Sequence, residues 1–176
     1  MNLAHLPAFA GSSTIRVVVE SPRGCTAKLK FDPQLGVMTL SRPLTHGLVY
    51  PFDWGFVPGT RGPDGDPVDA IVVWDVATFP GVVLDCRVIG VVRIDQRRKG
   101  RPGRERNDRL VAIPVNVPRL RNVRSVRDLS TRVRQELEAF FVAVTVLEGK
   151  DIRILGWEGP RAGLTLVKQQ EQSPQD

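Results

Sequence analysis

The chain has 176 residues, of which 41% are hydrophobic and 25% charged, a composition typical of one globular domain with its own core. Its formal net charge of +6 comes mainly from arginine; this suits phosphates or nucleic acid as partners, unless the charges simply cover a solvated surface. No apolar run is long enough to span a membrane, the first residues do not resemble a signal peptide, and the two cysteines show neither disulfide nor zinc spacing, so we expect a cytoplasmic location.

Short apolar or alternating stretches predict β-strands at 14–20, 26–31, 37–40, 70–74, 82–94, 110–115 and 151–155. Between Leu129 and Leu147, apolar residues recur three or four positions apart, which predicts one long helix with a single buried face. Glycine and proline separate the many short strands, which favours a small sandwich or a closed barrel. We expect one domain over 1–176, with frayed tails at 1–13 and 168–176.

Three aspartates, Asp64, Asp66 and Asp69, directly precede the apolar residues 70–73. Carboxylates repel one another, so such a cluster favours a site for a positive group. Mg²⁺ takes oxygen ligands and is usually held by a few carboxylates together with substrate phosphates. The alternative is a solvated turn, because Gly-Pro and Asp-Gly are common turn dipeptides. On this segment alone, both interpretations stay open.

The motifs on either side of the aspartates follow a specific order. Segment 20–24 reads Glu-Ser-Pro-Arg-Gly, Lys28 and Arg42 follow it, and segment 50–58 reads Tyr-Pro-Phe-Asp-Trp-Gly-Phe-Val-Pro. In this order the blocks resemble the soluble (family I) inorganic pyrophosphatases, and the resemblance runs from about Val17 to Trp157. It implies a mainly β (α+β) fold, a five-stranded OB-like closed barrel with one long and one short flanking helix.

The resemblance further implies Mg²⁺-dependent hydrolysis of pyrophosphate to two phosphates by a metal-activated water. Asp66 would be the catalytic residue that orients or deprotonates this water. Substrate would be bound or supported by Lys28, Arg42, Tyr50, Trp54 and Arg109. Metal ions would be held by Asp64, Asp69, Glu20, Asp95 and Asn107. Taken singly, each of these residues also has a plain structural interpretation, as a surface charge, an ion-pair partner or a core aromatic.

The chain departs from the family pattern at several positions. Lys30 stands where relatives carry an acid, Trp54 where they carry tyrosine, and Val144-Thr145 where they carry a phosphate-binding Tyr-Lys pair. The largest change is the loop from Asp95 to Arg109, which is longer than the usual acidic loop and holds seven Lys or Arg against three acids. This loop is expected to be a flexible solvated insertion or, alternatively, a phosphate clamp.

Within the loop, Asn107 falls where the last metal-binding aspartate is expected, and Arg109 replaces a lysine. Asp108 would supply the missing carboxylate if the backbone shifted by one position. These changes predict weaker Mg²⁺ binding and reduced or altered activity. The alternative hypothesis is a non-catalytic or weakly active protein of the same fold that binds phosphate-type anions or, less favoured, nucleic acid through the basic loop. The resemblance also implies a homo-oligomer, often a hexamer.

Overall fold

Nine β-strands and two α-helices form the part of the chain, residues 3–98 and 100–172, that the computed structural model describes. The strands are β1 Thr14–Ser21, β2 Ala27–Asp32, β3 Val37–Pro43, β4 Asp53–Val57, β5 Val68–Val72, β6 Val83–Arg97, β7 Arg104–Arg106, β8 Arg109–Pro114 and β9 Arg153–Glu158. The helices are α1 Thr131–Thr145 and α2 Pro160–Gln170. Seven strands match predicted segments to within a few residues, whereas β4 and β7 have no predicted counterpart.

Five of the strands are hydrogen-bonded into a closed ring. Strand β1 pairs antiparallel with both β4 and β6, β4 pairs antiparallel with β5, and β6 pairs antiparallel with β8. A parallel pairing of β5 with β8 closes the ring. Strands β7 and β9 each pair antiparallel with β6 outside the ring. Strands β2 and β3 form a separate hairpin. This arrangement confirms the predicted mainly β fold with five strands in a closed sheet and two flanking helices of unequal length.

The inside of the ring is filled by apolar side chains from all five of its strands, and alternation along each strand directs these side chains to one face. Leu166 and Val167 of α2 pack against the same cluster. The strand residues of this cluster are Ile15, Val17, Val57, Val68, Ala70, Val72, Cys86, Val88, Val91, Leu110 and Ala112. Helix α2 therefore covers one open end of the core.

Helix α1 covers the opposite face of the sheet. Its Leu137, Phe140 and Phe141 pack on a second cluster that includes the strand residues Trp54, Ile71, Val73, Ile89, Val92, Ile94, Val111 and Ile113. Ser130 caps the helix, since its hydroxyl accepts a hydrogen bond from the Val133 N–H at 3.2 Å. Leu147, predicted on the buried face, is 81% exposed because α1 ends at Thr145 and a 3₁₀ turn follows. No helix within the described ranges is long and apolar enough to cross a lipid bilayer.

Both segments expected to fray pack against the barrel in the ranges described. Ala8 is 1% exposed, and the Gly59 N–H donates to the Ala4 carbonyl at 3.0 Å. At the other end, α2 runs to Gln170 and the Gln172 N–H donates to the Gly59 carbonyl at 2.8 Å. Residues 1–2 and 173–176, which belong to the same predicted tails, lie outside the described residues.

Gly55 of β4 lies where the backbones of β1 and β4 come closest together. A Cβ atom at this position would lie 1.9 Å from the Val18 carbonyl oxygen, so only glycine fits. Just beyond this point β1 has a β-bulge at Glu20, between the pairs Val19–Gly55 and Ser21–Trp54. Because bulges redirect side chains, the close approach at Gly55 also helps to position Glu20.

The substitution Gly55→Ala is expected to lower the free energy of unfolding by about 3 kcal/mol, because the clash is with backbone that cannot move without breaking the β1–β4 pairing. Urea unfolding followed by circular dichroism measures this change. Gly11→Ala is the matched control, since a Cβ there meets nothing within 4 Å. Equal unfolding midpoints for the two variants would contradict the explanation of Gly55.

Candidate active site

The three aspartates lie on a tight turn and on the strand that follows it. The Gly62 N–H donates to the Asp66 carbonyl at 2.7 Å, and the Asp64 carboxylate accepts the Asp66 N–H at 3.2 Å. Gly65, with φ of +87°, supplies the left-handed residue that this turn needs. Asp69 follows in β5. The segment is thus a turn that also gathers carboxylates, so the two interpretations of the sequence are compatible.

Asp69 is held by Arg109 across the parallel strands β5 and β8. The registers Ala70–Leu110 and Ile71–Val111 place residues that are forty positions apart side by side, and the next such pair is Asp69 with Arg109. The Arg109 guanidinium lies 2.7 Å from the Asp69 carboxylate, and the arginine side chain is only 7% exposed. A charge buried to this degree requires such a partner.

Trp54 packs against Arg109 from the side of the core. The guanidinium carbon lies 5.4 Å from the centre of the indole ring, a cation–π arrangement. The same indole contacts Tyr50 and Phe140, with ring centres 5.9 and 6.2 Å away. Trp54 therefore contacts Arg109 and the aromatic core under α1.

Glu20 and Ser21 attach the β2–β3 hairpin to the barrel. The Glu20 carboxylate accepts the Phe31 N–H at 2.8 Å, and the Ser21 hydroxyl accepts the Leu29 N–H at 2.9 Å. Burial raises the pKa of Glu20 to about 7. The hydroxyl of Tyr50 hydrogen-bonds to Ser21, while burial raises the pKa of this phenol. These contacts fix the hairpin, and with it the position of its lysines, relative to the aspartates.

Lys30, which stands where relatives carry an acid, forms an ion pair with Asp66. Its ammonium is 3.1 Å from the Asp66 carboxylate, and its charge also acts on Glu20 and Asp69. The residues around it line a cleft of about 200 Å³ that includes Glu20, Lys30, Phe31, Phe56, Asp66 and Asp69. Two carboxylates of the triad thus face fixed cations of the chain, Arg109 for Asp69 and Lys30 for Asp66.

A second basic group lies on the same hairpin. Lys28 and Arg42 are directly opposite each other in the β2–β3 pairing. The Arg42 guanidinium forms an ion pair with Glu148 and donates to the Val144 carbonyl at 2.7 Å. Glu148 in turn lies 3.1 Å from the ammonium of Lys150. Sequence reasoning did not find Glu148 or Lys150, because the turn after α1 carries no motif.

The base of the basic loop is a β-hairpin of β6 and β7, so the expectation of a flexible insertion is wrong for residues 95–97 and 104–106, which form strand pairs. Its arginines pair with acids nearby: Arg97 with Asp151, Arg98 with Glu105, Arg104 with Asp95 and Asp151, and Arg106 with Asp108. Lys99 lies outside the described residues. Each of these four arginines therefore has a carboxylate within 3.8 Å.

The three candidate metal-binding residues of this loop lie in different surroundings. Asn107 shares a small cavity with Asp64 and Asp69, and its side-chain oxygen accepts a hydrogen bond from Arg109. Asp95 is bound by Arg104. Asp108 lines the same cavity as Asn107, but its carboxylate is held by Arg93 at 2.8 Å, by Arg106 at 2.7 Å and by the Ile94 N–H at 2.9 Å.

A family model described as inorganic pyrophosphatase matches residues 17–174. The chain belongs to the inorganic pyrophosphatase family. It is 36% identical over 169 residues to the inorganic pyrophosphatase of a Synechocystis species, with 96% of each chain covered. The crystal structure of the Thermus thermophilus inorganic pyrophosphatase matches with a TM-score of 0.87 at 31% identity, covering 96% of this chain and 95% of that one.

The inorganic pyrophosphatase from Helicobacter pylori is a further structural neighbour, with a TM-score of 0.85 at 28% identity over 94% of this chain and 95% of that one. These matches confirm the family that the motif order indicates. Family I pyrophosphatases are metal-dependent hydrolases. The question for this pyrophosphatase is therefore how well its altered site suits a metal ion.

No three carboxylate, histidine or cysteine side chains within residues 3–98 and 100–172 are arranged as a ready metal cage. The donors themselves nevertheless suit a hard divalent cation, since they are carboxylate oxygens. Burial raises the pKa of Asp64, repulsion from Asp69 and Asp66 adds to this shift, and the charge of Arg109 opposes it. The residues therefore fit a metal ion, provided that Lys30 and Arg109 release the carboxylates they hold.

Proposed function

We propose that this pyrophosphatase hydrolyses inorganic pyrophosphate to two phosphates in a reaction that requires Mg²⁺. One observation carries the proposal: Asp66 and Asp69 line the cleft beside the β2–β3 hairpin, with Asp64 on the adjoining turn, and Lys28, which lies opposite Arg42 on that hairpin, is close enough for its charge to interact with Asp69. A cation and a polyphosphate anion can therefore be bound next to each other. Such a pairing of charges is what phosphoryl transfer to water needs.

Mg²⁺ at this site would neutralise substrate charge and lower the pKa of a bound water. The residues proposed to hold it are Asp64, Asp69 and Glu20, with Asn107 as a neutral and therefore weaker oxygen donor. Asp95 joins this set only if Arg104 releases it. Compared with a cage that has aspartate in place of Asn107, one negative charge is missing, which is the reason to expect weaker metal binding.

The catalytic role is proposed for Asp66, whose carboxylate lies at the open cleft. It would accept the proton of the attacking water, and the ammonium of Lys30 lies 3.1 Å from its carboxylate. The phosphate groups would be bound by Lys28, Arg42 and Arg109. Tyr50 and Trp54 serve the substrate indirectly: Tyr50 supports the hairpin through Ser21, and Trp54 supports the guanidinium of Arg109.

The substitution Asp66→Asn is expected to lower kcat for Mg-pyrophosphate by about 10²- to 10⁴-fold, because the amide cannot accept a proton. Release of inorganic phosphate, measured at saturating substrate, tests this expectation. The matched control is Asp75→Asn, which removes an exposed carboxylate paired with Arg119 on the surface. Similar rates for the two variants, or wild-type turnover that persists in excess EDTA, would refute the proposed mechanism.

Lys30 competes with the metal ion under this proposal, because its ammonium lies among the carboxylates that the ion needs. Lys30→Gln is expected to tighten Mg²⁺ binding to the substrate-free protein by roughly three- to tenfold, the effect of removing one partly solvated like charge. Isothermal titration calorimetry with Mg²⁺ measures it. The control is Lys168→Gln, an exposed lysine of α2. Equal affinities for both variants would show that Lys30 does not compete.

We further propose that the chain forms a homo-oligomer, a hexamer by family resemblance, and acts in the cytoplasm. Support for assembly comes from exposed apolar residues at the end of α1 and on β9, Val142, Val146, Leu147 and Leu155. Sedimentation equilibrium is expected to give a mass several times the 19.5 kDa of one chain. A monomer at micromolar concentration would rule the assembly out.

A further inference from the structure

Lys28 and Arg42 form an unusual pair for two facing strand residues. They lie directly opposite each other on the β2–β3 hairpin, and like charges in this relation destabilise a strand pair. Burial lowers the pKa of Lys28, and the neighbouring Lys150 lowers it further. Three cations thus lie close together, an arrangement that an anion between them would stabilise.

Glu148 supplies such an anion in this structure. Its carboxylate forms ion pairs with Arg42 and, at 3.1 Å, with Lys150. The chain reverses at Gly149, where φ is 66°, and Glu148 and Lys150 stand on either side of this residue. Their side chains are only 23% and 21% exposed, so they form a fixed group and not a loose surface pair.

The end of α1 contributes no other positive or hydroxyl donor at this place. Val144 offers only its carbonyl, which accepts from Arg42 at 2.7 Å. The Thr145 hydroxyl donates within its own helix, to the Phe141 carbonyl at 2.9 Å. The additional cation beside Lys28 and Arg42 is therefore Lys150, which follows the end of α1.

We propose that Lys150 is a phosphate-binding residue of this pyrophosphatase, that it forms an anion site with Lys28 and Arg42, and that the Glu148 carboxylate occupies this site until a phosphate group displaces it. The proposal rests on the proposed function for the identity of the anion. Pyrophosphate and inorganic phosphate share the chemistry that the site recognises, several charged oxygens facing lysine and arginine donors.

Displacement is favourable because the two anions differ in charge and in number of acceptors. A carboxylate brings one charge and two oxygens, while a phosphate group brings up to two charges and three free oxygens for three cationic side chains. Glu148 stays tethered next to the site, so it returns when phosphate leaves. It thereby limits how tightly the product is held.

The experiment compares metal-free binding of inorganic phosphate and pyrophosphate to the full chain by isothermal titration calorimetry in EDTA. Glu148→Gln keeps a hydrogen-bond acceptor for Arg42 but removes the competing charge, so it is expected to tighten binding about tenfold. Lys150→Gln is expected to weaken binding about tenfold, and Lys150→Arg to restore it. Lys168→Gln is the charge-matched control and is expected to remain within twofold of the wild type.

Thermal unfolding of each variant distinguishes an anion-binding site from an ion pair that only stabilises the fold. If Glu148 only stabilises the fold, Glu148→Gln lowers the Tm without tightening phosphate binding, and that result overturns the proposal. So does equal affinity for Lys150→Gln and Lys168→Gln. A wild type that binds phosphate with the expected pattern but does not hydrolyse Mg-pyrophosphate contradicts the proposed function alone and supports the anion site.

Discussion

The ion pair between Asp69 and Arg109 joins the two parallel strands on which the site is built. The two charges are 2.7 Å apart and the arginine side chain is only 7% exposed, so the buried guanidinium depends on this carboxylate as its counter-ion while no metal ion is bound. The guanidinium also packs on Trp54, which in turn contacts the aromatic side chains under α1. The position of the central carboxylate therefore depends on strand register, on an aromatic contact and on the helix at the same time.

Asp64 and Asp66 are less constrained, because they lie on a turn. This is the Gly62–Pro67 turn, and the Asp66 carboxylate forms an ion pair with the ammonium of Lys30 at the open cleft. A tethered cation differs from a metal ion, since it cannot dissociate and cannot acidify a water. It reduces the repulsion among carboxylates when no metal is bound, and it must move aside when one binds. The same lysine thus stabilises the folded site and weakens its metal affinity.

The sequence predicts four of the five ring strands, α1 and the acidic segment well, because each of these depends on local patterns. It does not predict β4, whose run of aromatic residues, glycine and valine lacks alternation, nor the order of the basic loop, whose glycines and proline suggested flexibility. Pairing of its arginines with Asp95, Glu105, Asp108 and Asp151 stabilises that hairpin. The contact of Asp69 with Arg109 follows from a parallel register across forty residues, and such registers are set by the whole sheet and not by the nearby sequence.

Lys28 connects the two halves of the site, since its charge acts on Asp69 on one side and on Glu148 and Lys150 on the other. Each half holds its own counter-ions. Lys30 and Arg109 pair with carboxylates of the triad, and the Glu148 carboxylate pairs with the basic residues. A free metal ion has to displace the cations without gaining a phosphate ligand, and free pyrophosphate has to displace Glu148 without neutralising its remaining charge. Under the proposed function, a metal ion and pyrophosphate bound together would replace both sets of counter-ions. The internal ion pairs would then favour the metal–substrate complex over either component alone, and Lys28 would couple the two halves because its charge acts on both.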